Sequence, residues 1–293
     1  MIYENILYGY DYDSEKNILI GREDIKDYGF FSTFTLLLTS IMVVHGKFGK
    51  TPDNIDGTNL LRKLKKNDDK DVYHYFFHID KTISIDLPKE IPVPYSPNDH
   101  HTIYKEENSK FYDPFFRKYF NVNENIISKI LHLKNKYSIE ENNTIAVIFR
   151  DSDKWTDMGG FNYVSAAGYL RMCKDVIENV IEESNQRPKI IIQSENQGVV
   201  ETFQQAFGAI FLSETSLGNP SDVYPPIPLN DDVRMEWAEY YIASLWLLSK
   251  CKYVITYTGN SAFFVYLNRG TTNNLIQEIT FTKNYKEFFT KNN

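Results

Sequence analysis

TIAVIFR (residues 144–150) is the stretch on which the fold turns. It is β-branched and apolar without alternation, the pattern of a strand buried on both faces of a parallel sheet. Working outward, a helix is expected over residues 163–183, with Val164, Ala167, Leu170, Val176, Ile177, Val180 and Ile181 on its apolar side. Arg187-Pro188 breaks it, and KIIIQS (189–194) reads as a second strand. A shorter helix over 197–207 closes at Gly208 and leads into the strand AIFL (209–212). Next comes a long loop carrying Gly218, Pro220, Pro225, Pro226 and Pro228, of the kind that more often marks function than accident. A helix over 231–250, acidic at its start and basic at its end, precedes the strand CKYVITYT (251–258) and a helix over 261–268. Strand and helix alternate throughout, so a parallel, doubly wound sheet is expected.

The N-terminal half is less regular. NILI (17–20) and VYHYFFHI (72–79) read as strands. GFFSTFTLLLTSIMVVHGKFGKTP (29–52) reads as a glycine-initiated turn, a helix and a β-like segment. Residues 81–112, with Pro88, Pro92, Pro94 and Pro97, read as loop, and helices over 115–119 and 124–137 connect the halves. The expected division is 1–140 and 141–293.

The net charge of −7 leaves no global basic field, so no nucleic-acid partner is expected. The basic run Arg62–Lys66 is offset at once by Asp68 and Asp69. Cys173 and Cys251 are too few for a disulfide scaffold and read as buried free thiols in a reducing compartment. The most apolar stretch, residues 34–44, is well short of the roughly 20 residues a membrane span needs. No basic region precedes an apolar core at the N-terminus, so the expectation is a soluble, cytoplasmic protein without a signal peptide or membrane span.

Three strand ends carry chemistry. IFRDSDKW (148–155) follows the first strand, where ligands bind in parallel α/β sheets. Arg150 and Lys154 there suit a diphosphate, as a planar fork and a point charge, although they also suit ion pairs with Asp151 and Asp153 on a surface turn. QSEN (193–196) ends the second strand; Glu195 suits a ribose or base edge, while Ser194 or Asn196 equally suits a helix cap. YTGNSAFF (257–264) joins strand to helix through Gly259, so its helix start is either an anion site or an ordinary turn. It matches neither GxxxxGK[ST] nor GxGxxG. The six histidines show no HExxH and no spacing with cysteine, so no metal is expected.

In this order the three strand ends resemble the C-terminal domain of the α-1,6-fucosyltransferases, the nodulation and core enzymes among them. That group has an HxRRxDK-like motif after a strand. Arg150, Asp153 and Lys154 match its first arginine, aspartate and lysine, while Ile148 and Asp151 stand for the histidine and second arginine. Ser194-Glu195-Asn196 resembles its Thr-Asp-Asp-like cluster, and the stretch from Leu248 to Thr258, Gly259, Asn260 and Ser261 resembles its last strand and turn. Asp157, ahead of Phe161, stands where the family places a carboxylate. GFFS (29–32), with Ser249–Tyr253 and Gly259-Asn260, is also similar to glycosyltransferase-like proteins of large DNA viruses.

The resemblance implies an α/β, GT-B-like architecture: two Rossmann-like halves facing a cleft. It implies transfer of a sugar, with GDP-fucose as candidate donor, from a nucleoside-diphosphate sugar to a glycan or other hydroxyl acceptor, without metal and with inversion. Arg150, Lys154 and the amides of Thr258, Gly259, Asn260 and Ser261 would hold the diphosphate, and Glu195 the ribose or base. Asp157, then Asp153, would act as base, and Gly29, Phe30 and Ser32 would lie on the acceptor side. Two alternatives stand beside this: a non-catalytic nucleotide- or glycan-binding module of the same fold, and another α/β enzyme of nucleotides, such as an epimerase, against which the missing GxGxxG argues.

Overall fold

A strand such as β7 (Thr144–Phe149), with all six residues buried, has no solvent face and must be covered on both sides. In the structure, a computed structural model, it is the centre of a five-stranded sheet. The structure describes residues 1–7, 9–23, 30–62, 70–87, 106–149, 166–184, 186–194, 197–215, 231–256, 259–271 and 273–276. By its internal contacts the chain forms two units: Met1–Ser128 with Asp231–Met235, and Lys129–Asn230 with Glu236–Asn293.

In the second unit β7 pairs in parallel with β8 (Lys189–Ser194) on one side and β10 (Tyr253–Thr256) on the other. With β9 (Ile210–Phe211) and β11 (Leu275–Ile276), the order is β11-β10-β7-β8-β9, parallel at every pairing. The chain therefore starts at the centre, steps outward to β9, returns and steps outward the other way. This is the strand order of a Rossmann-type half, and its direction reverses between β7 and β10.

Alternate strand residues point to opposite faces. Ile145, Val147, Phe149, Ile190, Ile192 and Ile255 form one core with Cys173, Ile177 and Val180 of α5 (Ala166–Glu183) and Val199, Val200 and Phe203 of α6 (Gln197–Phe207). The right-handed hand of parallel crossovers places α7 (Asp231–Ser249) and α8 (Asn260–Arg269) on the other face. These two pack together through the rings of Trp246 and Phe264, centroids 6.2 Å apart, and Asn268 Nδ2 donates to Ser249 Oγ at 2.7 Å. Arg269 closes the corner by donating to the carbonyls of Ser249, Cys251, Lys252 and Asn273. Neither cysteine is in a disulfide and both are buried, in keeping with their sequence context.

In the first unit β1 (Ile2–Leu7), β2 (Tyr10–Asp13) and β3 (Ile18–Gly21) pair antiparallel, and β3 then pairs in parallel with β4 (Asn54–Asp56). The crossover between β3 and β4 contains α1 (Phe30–Phe48). The β-like segment expected after residue 40 is instead a continuation of this helix. Phe31, Phe34, Leu37, Leu38, Ile41, Met42 and Val44 are all fully buried, so packing overrides the low helix propensity of its β-branched residues. Thr35 and Thr39 satisfy their hydroxyls on the carbonyls of Phe31 and Thr35. Among the described residues α1 is the one helix long and apolar enough to cross a membrane by composition, and most of it is buried inside the unit.

Two further expectations fail here. Residues 72–79 are a one-turn helix, α2 (Val72–Phe76), followed by the short strand β5 (Phe77–His78), which pairs with β6 (Asn121–Val122). Asp71 sets that turn: its Oδ1 caps His74 N–H at 3.0 Å while Oδ2 accepts from Gly57 N–H at 3.1 Å. The loop expected through residue 112 ends earlier, because α3 (Glu106–Tyr119) starts at Glu106 and runs through Pro114. The hydrogen bond that Pro114 cannot donate is offset by burial of Tyr112, Phe115, Phe116 and Tyr119. Tyr73 donates to Tyr119 O at 2.6 Å and Tyr119 to Pro52 O at 2.5 Å, and burial pushes the Tyr73 phenol well above its ordinary range.

At Gly57 an added Cβ would lie 2.5 Å from Asp71 Oδ1 and 2.7 Å from Tyr73 N and Cβ. Gly57→Ala is therefore expected to destabilise by about 1–3 kcal/mol, read from the denaturant midpoint; an unchanged midpoint would refute the close approach.

The helix α4 (Glu124–Lys136) is tied to Glu214, which accepts from Lys136 Nζ at 2.5 Å and Tyr137 Oη at 2.7 Å, with His132 Nε2 at 3.5 Å. Burial alone would raise the Glu214 carboxyl, but the bonds from Lys136 and Tyr137 outweigh it and hold the group below the usual range. A lowered folded pKa means stability that is present above the unfolded value, about 4.3, and lost as pH falls through the folded one. Glu214→Gln should thus cost about 1 kcal/mol at pH 7. Its melting difference from the parent chain should shrink toward zero in acid; a difference that grows there would contradict this linkage.

Candidate functional site

The site begins where three strands stop. Ser194 of β8 is registered beside Phe149 of β7, and Thr256 of β10 beside Ile148. Adjacent strands lie about 4.8 Å apart, so these strand ends are close neighbours. After β7 the chain goes to α5 on one face, and after β10 to α8 on the other. A crevice outside the carboxyl ends at such a reversal is where open α/β sheets take ligands. Of the residues expected there, Arg150, Asp153, Lys154, Asp157, Glu195 and Thr258 lie outside the described residues, as does Gly29. The structure does give the strand ends from which their segments depart.

Gly259, Asn260 and Ser261 are described, and they are the start of α8. Gly259 is buried and occupies the cap with φ 165° and ψ 177°, extended backbone open to any residue, and its carbonyl accepts Phe263 N–H at 2.9 Å. Gly259 has no side chain of its own to cap this end. A helix cannot satisfy its own first-turn N–H groups, and its dipole makes that end favourable to negative charge. Gly259, Asn260 and Ser261 are each engaged within the chain, and Ser261 is buried. The far end closes at Gly270, which at φ 72° adopts the left-handed conformation and donates its N–H to Tyr266 O.

Phe30 and Ser32 sit at the start of α1 in the first unit. The Phe30 ring packs edge-on against Phe31, Phe34 and Phe76 at centroid distances of 5.2, 5.1 and 5.6 Å, which makes it a member of an aromatic core.

Polar side chains interrupt the strands at their carboxyl ends. Gln193, Ser194 and Thr256 are 3%, 1% and 0% exposed. Gln193 is the residue that strand patterning passes over; its signal is a lone amide closing a run of isoleucines.

Other chemistries find little here. Among the described residues no three of His, Cys, Asp and Glu gather as metal ligands. His74 and His78 are engaged with Asn54 and Asn123, and His132 lies against Glu214. Burial, aided by Glu141, pushes the Cys251 thiol up to about 12, so it is no thiolate nucleophile near neutrality. Folded protein at pH 8 is expected to leave Cys173 and Cys251 unmodified by an alkylating reagent that labels both in denaturant. Rapid labelling in the folded state, counted by mass, would contradict their burial.

The fold defines an α/β protein whose parallel sheet has the strand order of a Rossmann-type half. No family profile and no curated protein matches the chain. Solved structures of an α-1,6-fucosyltransferase, NodZ, are similar. One soaked with GDP-fucose shares 16% identity at a TM-score of 0.35, covering 54% of this chain and 46% of that one, so the match spans about half of its length. The enzyme from Bradyrhizobium shares 13% at 0.44, covering 74% and 82%, and a form co-crystallised with GDP shares 12% at 0.45, covering 79% and 87%.

Proposed function

We propose that the chain is a glycosyltransferase that moves a sugar from a nucleoside-diphosphate sugar to a glycan or other hydroxyl acceptor, without metal and with inversion. The observation that carries this reading is the reversal between β7 and β10. From one of these strands departs the Arg150–Lys154 segment, and from the other the Gly259–Ser261 helix start. A departing diphosphate gains negative charge as the glycosidic bond breaks, so cations and helix amides aimed there favour the transition state over the bound substrate. In this reading Arg150 and Lys154 take the diphosphate with the amides of Thr258, Gly259, Asn260 and Ser261. Glu195 takes the ribose or base. Asp157, with Asp153 as second candidate, removes the acceptor proton. The acceptor is assigned to the N-terminal part, 1–140, near Gly29 and Ser32, and the donor to 141–293, in a soluble cytoplasmic protein.

A second reading, a binding module without turnover, has one observation in its favour. Ile148 stands where the resembled motif has histidine, and it is buried in the sheet at 1% exposure.

Thermal unfolding with GDP, UDP, ADP, CMP and their sugar conjugates separates these readings. A ligand that binds the folded state alone raises the midpoint. GDP is the first to try, because it is named for a similar structure. A shift together with release of free nucleotide from the sugar conjugate supports the transferase; a shift without turnover on any acceptor supports the module. Arg150→Ala should cut kcat by about 10²-fold or more with little change in melting. Equal losses in turnover and stability would sink the assignment of Arg150.

A further inference from the structure

The first unit has its own parallel pair, β3 and β4, with α1 in the crossover between them. The two strands are registered up to Ile20 and Asp56, so Gly21 and Gly57 leave the sheet at the same end. The space outside the carboxyl ends of parallel strands is the favoured place for a ligand in α/β sheets. The turn that follows β4 holds three planar polar side chains, Asp56, Asn59 and Arg62, none of them buried.

Polar groups elsewhere around this sheet are spent on the fold. Asp71 uses both carboxylate oxygens, on His74 N–H and Gly57 N–H. At the amino end of β3, Asn17 uses both sides of its amide, accepting from Tyr12 Oη and donating to Thr51 O at 2.9 Å. The turn after β4 is different. Asp56 Oδ1 accepts Thr58 N–H at 3.0 Å, and Oδ2 has no bond among the described residues. Asn59 is held on both sides, donating to Gly21 O at 3.0 Å and accepting from Arg62 Nη2 at 2.7 Å. That amide steadies the Arg62 guanidinium without neutralising it. Arg22, leaving β3 at the same end, has Asp11 as counter-ion at 3.6 Å, whereas Arg62 pairs with no carboxylate among the described residues.

A carboxylate oxygen can only accept, and a guanidinium can only donate. Together on one short turn they match a ligand whose neighbouring groups do both, and the hydroxyls of a sugar ring are such groups. The two charges also select against charged ligands: the carboxylate repels a phosphate or other anion, and the guanidinium repels a cation. We propose that the carboxyl end of β4 is a saccharide-binding site. Asp56 accepts from one hydroxyl of a neutral glycan, and Arg62, aligned by Asn59, donates to the oxygen of a neighbouring one. Its use as the seat of the sugar acceptor rests on the transferase reading above, and narrows that acceptor from any hydroxyl compound to a neutral glycan.

The test compares the parent full chain with Asp56→Asn and Arg62→Gln. Asparagine keeps an oxygen for Thr58 N–H, and Arg62 is exposed, so neither change is expected to move the melting midpoint. Should Asp56→Asn lower it, Arg62→Gln decides alone. Binding is measured by calorimetry with neutral trisaccharides of glucose, mannose, galactose and N-acetylglucosamine. Glucuronate and inorganic phosphate serve as anionic probes, and GDP as the nucleotide. At least one trisaccharide is expected to bind the parent chain, with GDP binding the same in all three proteins. Each substitution should raise the saccharide Kd roughly tenfold, as for loss of a hydrogen bond to a charged group. A trisaccharide bound equally by all three proteins overturns the proposal, and so does binding of none of the four. Glucuronate or phosphate binding more tightly than any trisaccharide, and lost in Arg62→Gln, overturns it in favour of an anion site. The two readings fail separately. GDP binding without saccharide binding removes this site alone; saccharide binding weakened by the substitutions, with no nucleotide bound, keeps the site and removes the transferase.

Discussion

The pairing of β7 on both of its edges is the constraint from which the second unit follows. A strand buried on two faces and bonded on two sides cannot sit at a border, so the chain has to grow outward from it in both directions. Once β8 and β9 occupy one side, right-handed crossovers leave β10 and β11 the other side, and the helices divide between the faces. The reversal at β7 and β10 is a product of this geometry, not an added feature. The cap of α8 at Gly259 carries no strain of its own, being ordinary extended backbone.

The first unit is held differently. Its sheet is small, and stability is concentrated where aromatic rings and backbone meet. Phe30, Phe34, Phe76, Phe77 and Phe120 pack edge to face around α1, an arrangement that the ring quadrupoles favour. Tyr73 and Tyr119 then convert two buried hydroxyls into ties between α2, α3 and the turn at Pro52.

This contrast explains what could be read from the sequence. In the second unit most elements carry their own signal: KIIIQS and the helix over 197–207 occur in the structure with those bounds, because β-branched runs and helical periods are local properties, while the two-residue β11 was not legible. In the first unit the deciding facts are distant. VYHYFF has the composition of a strand, and becomes a helical turn because Asp71 caps it and Gly57 leaves it room. The end of α1 is β-branched, and is helical because Ile41, Met42 and Val44 are buried in the core of the unit. At the site, strand ends were legible because ligand-binding positions in parallel sheets follow from strand order.

The anchoring of α8 has a mechanical side. Its start carries the proposed ligand contacts, and its other end is fastened too: Arg269 donates to three carbonyls at the α7–β10 corner and to Asn273 O, and Asn268 reaches Ser249. A helix of 10 residues is about 15 Å long. A tilt of about five degrees about that far end would move the tip by about 1 Å, a misplacement of the size that can slow a reaction about 100-fold. In the proposed site, the position of the strand-end tip is thus tied in part to the far end of α8, held by the half-buried Arg269.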